Sequence, residues 1–130
     1  MKELSDIRVR TIILTLLSSG VRVGALTDLK LRELTYLEEH KIYKISVYSE
    51  EIAYHYITFC TPECAITIKL YLDYREKKRE NLPKQRPFIA TSFHIKRSKD
   101  SFVTRQAIQK ILDRERYKAG IFSQERDAQI

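Results

Sequence analysis

The sequence is poor in the residues that break, staple or loosen a chain. Its 130 residues include three glycines, three prolines, two cysteines, one methionine and no tryptophan. So little Gly and Pro excludes long flexible linkers, and no internal repeat or low-complexity tract occurs. No apolar run approaches the roughly eighteen residues that a membrane span needs. The longest, Ile12 to Leu17, is already interrupted by Thr15. The opening Met1-Lys2-Glu3-Leu4-Ser5-Asp6 lacks a signal-peptide pattern, so an intracellular, cytoplasmic protein without a membrane partner is expected. Cys60 and Cys64 flank Thr-Pro-Glu with His55 nearby, but there is no second ligand pair. Structural zinc normally takes four ligands in paired short spacings, so no metal or other cofactor is expected, and both thiols should be buried and reduced.

What is present suits one compact mixed domain. Hydrophobic residues make up 43% and charged residues 32%, enough for a core and a solvated surface, and the length fits a single α+β domain over 1–130. The net charge of +7 is uneven. Residues 1–60 carry 8 basic and 8 acidic side chains, whereas residues 61–130 carry 16 basic against 9 acidic. Between Arg75 and Lys99, nine basic residues meet only Glu76 and Glu80. Such a stretch attracts polyanions, of which nucleic acid is the commonest inside cells, and it equally suits a solvated Lys/Arg surface.

Periodicity predicts a mostly helical chain around a three-stranded antiparallel meander. A helix over 5–19 has Ser5 as its cap, an apolar face of Ile7, Ile12, Ile13, Leu16 and Leu17, and Gly20 as its terminator. A short helix follows at 25–29, which sets Arg22 in a tight junction between the two. Leu34 and Tyr36 mark a first strand. Alternation over 42–48 and 54–60, joined by about five residues, marks a hairpin. Thr61 as N-cap, Pro62 in the first turn and Glu63 on the helix dipole open a helix to about residue 80, with Ala65, Ile68, Tyr71 and Leu72 buried. Residues 84–102 read as loop around Phe88-Ile89-Ala90, with His94 to Lys99 exposed. A last helix begins near Val103-Thr104, buries Ala107, Ile108, Ile111 and Leu112, and stops at Gly120.

Three segments carry a family resemblance. The first is Leu16-Leu17-Ser18-Ser19-Gly20-Val21-Arg22-Val23-Gly24-Ala25-Leu26 with Leu29-Lys30-Leu31. The second is Ile45-Ser46-Val47-Tyr48 followed by Tyr56 to Cys64, and the third is Ala119-Gly120-Ile121. Together with the element order they resemble the catalytic domain of tyrosine recombinases (the phage-integrase family), most of all its archaeal branch. The match covers nearly all of this chain but only the first part of the family's domain. The family's first-arginine motif is T/S-G-x-R-x-x-E-L, and the resemblance makes Arg22 that catalytic arginine. Those enzymes break a DNA backbone by attack of a tyrosine hydroxyl on phosphorus, and a permanently charged, forked guanidinium suits the oxygens that gather charge. A neighbouring helix N-terminus adds N–H groups.

The departures are equally specific. Ala25 stands where the family usually has Glu or Asp, so a supporting partner for Arg22 must come from elsewhere. The family's general-acid lysine lies in the second hairpin turn, which here reads Ser49-Glu50-Glu51-Ile52-Ala53; Lys44 is too early to replace it, and the glutamates would repel phosphate. No His-x-x-Arg segment or later tyrosine follows Gly120, and Tyr117, the last of the eight tyrosines, should pack. A DNA-binding fragment of a site-specific recombinase, inactive alone, is therefore expected. It would contact double-stranded DNA through Arg22, Lys30, Arg32, Lys96, Arg97 and Lys99, and other recombinase subunits are further partners. Two alternatives stay open: a non-catalytic DNA-binding regulator on the same fold, and a small protein-interaction domain whose basic loop meets an acidic partner. His40, His55 and His94 have no catalytic spacing and should be surface or strand residues.

Overall fold

A computed structural model describes residues 2–78, 82–90 and 103–120, with side chains from Ile7 onward. The elements run α1 (Lys2–Ser19), α2 (Val23–Asp28), a 3₁₀ turn (Leu31–Glu33), β1 (Leu34–Leu37), β2 (Ile42–Val47), β3 (Tyr56–Phe59), α3 (Pro62–Lys77) and α4 (Arg105–Lys118). The fold is thus α+β, helical around a small meander, as the periodicity predicts. The sheet has the order β1-β2-β3 and is antiparallel throughout, with Tyr36 opposite Tyr43 and Ile45 opposite Thr58. Helix α1 lies along α3, α3 covers β2, and α4 closes against α1 and α2.

The helix signals act where the sequence places them. Thr61 accepts from the Cys64 N–H and Pro62 opens α3, while the Thr104 hydroxyl caps α4 through the Ala107 N–H. Gly20 and Gly120 end α1 and α4 at φ 76° and 80°, the left-handed region that L side chains avoid. Helix α1, however, already begins at Lys2, so Ser5 lies inside it rather than capping it.

Ile12, Leu26, Ile45, Ile68, Phe88 and Ile108 are all fully buried in one core shared by every layer. Each such side chain contributes roughly 1.5–3 kcal/mol of burial. β2 buries Tyr43, Ile45 and Val47 by strict alternation, whereas β3, one of the sheet's two edges, is exposed along most of its length. The β2–β3 connection is longer than the sequence suggests. Tyr48 takes φ 53° and leaves the ladder, and the next residues form successive turns through Glu51 N–H to Tyr48 O and His55 N–H to Glu51 O, both 2.9 Å.

Two further readings need correction. Arg75, counted above among the exposed basic tract, is completely buried: its Nη1 donates to the carbonyls of Pro87 (3.1 Å) and Phe88 (2.7 Å). The Ala90 N–H donates to the Tyr71 hydroxyl, and Arg8 Nε donates to the Ala90 carbonyl at 2.8 Å. The segment 82–90 is therefore a loop whose end, Pro87 to Ala90, is buried and held by polar side chains, with Phe88 set edge-on against Tyr71. Tyr117, expected to pack, is 70% exposed because it falls off the α4 stripe of Ile108 and Ile111.

Candidate nucleic-acid interface

The α1–α2 junction is built to present Arg22. Gly20 reverses the chain, Val21 drops into the core, and the Ser19 hydroxyl, which donates to Thr15 O, accepts from the Val21 N–H. Thr58 on β3 donates to the Ser19 carbonyl at 2.7 Å, which fixes the end of α1 to the sheet. Arg22 follows in extended conformation as the N-cap residue of α2, its carbonyl accepting from the Leu26 N–H at 2.9 Å. Its side chain is exposed and makes no hydrogen bond or ion pair with any described residue. Ala25, at the position where the recombinase motif carries an acid, is a buried wall residue. No described carboxylate substitutes for it, so the guanidinium stands available to an external anion.

Lys30 and Arg32 are in a different state. Glu50, from the β2–β3 connection, ion-pairs with Lys30 Nζ at 3.5 Å and with the Arg32 guanidinium. Glu33, nearly buried, takes Arg32 Nε at 3.1 Å, the Lys30 N–H at 2.7 Å and the Ser49 hydroxyl at 2.6 Å. The Glu50 carboxyl is held below its ordinary range, first by the Lys30 charge and then by the Arg32 hydrogen bond. Arg32 is raised in return, chiefly by its hydrogen bond to Glu33. A cleft of about 280 Å³ opens here, lined by Ala25, Asp28, Lys30, Glu33, Glu50 and Glu51 among others. Its balance is acidic. The connection that carries a lysine in the recombinase family here closes on the protein's own cations.

Of the expected contact residues, Arg22 is exposed and without a described partner, and Lys30 and Arg32 lie together but occupied. Lys96, Arg97 and Lys99 fall outside the described residues. Reasoning from the sequence missed Arg105, the first residue of α4, whose guanidinium is packed onto Gly24. Cys60 and Cys64 are both buried free thiols. They share a hydrogen bond that lowers the Cys64 thiol and raises that of Cys60, and Cys64 Sγ also lies 3.6 Å from Thr15 Oγ1. Among the described residues no group of three or more His, Cys, Asp or Glu side chains could hold a metal ion. No helix there is long and apolar enough to cross a membrane.

No protein-family model matches this sequence, and no curated protein matches it. Among solved structures it is similar to the crystal structure of XerA recombinase, with a TM-score of 0.69 and 25% sequence identity. The alignment covers 92% of this chain and 39% of the XerA chain, so the residues here span well under half of that protein. The α+β architecture, traced along nearly its full length, is the fold of part of a recombinase.

Proposed function

We propose that these residues form the leading part of a tyrosine-recombinase catalytic domain, a single partial domain that holds DNA backbone phosphate without completing strand cleavage. The observation that carries this reading is Arg22: an exposed guanidinium with no described partner, fixed at a helix junction on a fold shared with XerA recombinase. A phosphodiester oxygen pair matches its forked donors, and its charge persists at any working pH. Contacts of this kind position a duplex but carry no base information, so binding should be weak, salt-sensitive and poorly selective. Within these 130 residues the general-acid lysine, the second arginine and the nucleophilic tyrosine have no counterpart. Partners are double-stranded DNA and, through it, other recombinase subunits; the resemblance to the archaeal branch rests on the motifs at 45–64.

The test is fluorescence anisotropy with a labelled duplex at low and high salt, followed by incubation with a nicked duplex that traps covalent protein–DNA adducts. The expected result is binding at low salt, loss at high salt and no adduct. Absence of binding at low salt contradicts the reading.

A second reading, protein interaction, is favoured by one observation. The β2–β3 connection and edge strand β3 expose Ile52, Tyr54, Ile57 and Phe59 in a short stretch, and a sheet edge offers unpaired backbone groups. Sedimentation velocity separates the two. Self-association abolished by Ile57→Lys supports protein contact through β3, and a monomer at all concentrations counts against it.

A further inference from the structure

Cys60 and Cys64 form a cluster that phosphate binding leaves unused. Both are buried free thiols, yet they lie beneath one exposed turn, Thr61 to Glu63, at the end of the edge strand β3. Each sulfur is set by its own element. Cys60 continues the β3–β2 ladder: its N–H donates to the Tyr43 carbonyl at 3.1 Å, and its Sγ accepts from the Tyr43 N–H at 3.4 Å. Cys64 stands in the first turn of α3, its N–H donating to the Thr61 hydroxyl at 3.3 Å. The Cys-x-x-x-Cys spacing across a helix start thus turns the two thiols toward each other, and they share a hydrogen bond.

The surroundings of Cys64 suit a thiolate. Thr15 Oγ1 lies 3.6 Å from its sulfur, and the Ser18 hydroxyl, buried with no other partner, lies beside the same sulfur. A neutral thiol accepts hydrogen bonds weakly, whereas a thiolate takes both, and the α3 N-terminus favours the same charge. The Cys60 hydrogen bond and then these hydroxyls lower the Cys64 thiol, against burial and the Glu63 charge. Cys60 is raised by that same hydrogen bond and by burial, so it keeps its proton. We propose that Cys60 and Cys64 form a reversible disulfide in response to a hydroperoxide, and that the bridge loosens the end of α1 that leads into Arg22. With hydrogen peroxide, the Cys64 thiolate forms an S–O bond as the O–O bond breaks, and the other oxygen leaves as water with a solvent proton. The Cys60 sulfur then attacks the Cys64 sulfenic acid. The S–S bond forms, and the hydroxyl leaves with the Cys60 proton as a second water. Two thiols have lost two electrons, and the peroxide has taken them up. The bridge draws Cys64 Sγ away from Thr15 and Ser18, which lie on the last turns of α1 ahead of Gly20 and Arg22. Only the effect on binding rests on the reading that Arg22 faces DNA; the bridge itself does not.

The experiment treats the protein with hydrogen peroxide, blocks free thiols with N-ethylmaleimide under denaturing conditions, and weighs it intact before and after dithiothreitol. Wild type should lose two hydrogens and take up no maleimide, then take up two once reduced. Cys60→Ser should stop at a sulfenic acid that dimedone captures at Cys64, whereas Cys64→Ser should leave Cys60 reduced under the same exposure. If Cys64→Ser does not fold, Cys64→Ala takes its place. Disulfide-joined dimers, oxygen added without loss of both thiols, or two maleimides on peroxide-treated wild type overturn the inference. Duplex anisotropy at low salt then compares the reduced and bridged forms. The bridged form should bind several-fold more weakly, dithiothreitol should restore it, and Cys60→Ser combined with Cys64→Ser should bind alike with and without peroxide. A bridge that leaves affinity unchanged overturns the switch. Reduced protein that binds no duplex at low salt overturns the reading of Arg22, and the masses alone then decide the bridge.

Discussion

Two sites of positive charge lie close together in the chain and are in opposite states. Arg22, at the junction of α1 and α2, meets no described carboxylate, whereas Lys30 and Arg32 beside the 3₁₀ turn are held by Glu33 and Glu50. The formal charges are alike. The difference is made by the β2–β3 connection, which delivers Glu50 to one group and nothing to the other. A count of Lys and Arg is therefore a poor guide to an anion-binding surface, since only cations left unneutralised release counterions when DNA binds.

Arg75 extends the comparison to its limit, and its removal should have the largest effect. It is fully buried and ties the loop 82–90 to α3 through two carbonyls. Arg75→Met should destabilise the fold by about 3 kcal/mol, since it leaves buried acceptors without a donor. Urea denaturation checks this, and the surviving folded protein should bind DNA with an unchanged salt slope.

Next in size is Glu50→Gln. It should free Lys30, while Arg32 stays paired with Glu33, raising low-salt DNA affinity a few-fold and steepening the salt slope by up to about 0.9, one phosphate contact's worth. An unchanged affinity would show that Lys30 faces away from the duplex, and would break the comparison.

Acid should reproduce part of that effect. The Glu50 carboxyl is depressed in the folded state, so its ion pairs contribute fully above the ordinary carboxylate value, about 4.3. That contribution is lost as pH falls through the lower folded value. Titrated by anisotropy, the difference between wild type and Glu50→Gln should shrink as pH drops below about 4.

The smallest effect concerns the other hairpin turn. Lys41 is exposed and sits at φ 57° between β1 and β2. Lys41→Asn, which tolerates that conformation better, should stabilise by about 0.5 kcal/mol in denaturant titration. DNA binding should fall by no more than one surface charge accounts for.

Much of the fold was legible because its signals are local. Thr61-Pro62-Glu63 and Thr104 cap helices within three residues of themselves, and Gly20 and Gly120 end them by their own torsions. Arg75 could have been read correctly: it continues the buried stripe of Ile68 and Tyr71 at helical spacing, although its charge argued for solvent. The site was harder to see. Arg22 was visible through its motif, but the occupation of Lys30 and Arg32 depends on where a hairpin turn folds back. That contact has no local signature.

The most direct test is the salt dependence of duplex binding by Arg22→Ala set beside that of Arg32→Ala in the same protein. The account predicts that removing Arg22 flattens the slope by about 0.9, while removing Arg32, already held by Glu33 and Glu50, leaves it nearly unchanged. Equal slopes for the two variants, or a larger change for Arg32→Ala, would contradict it.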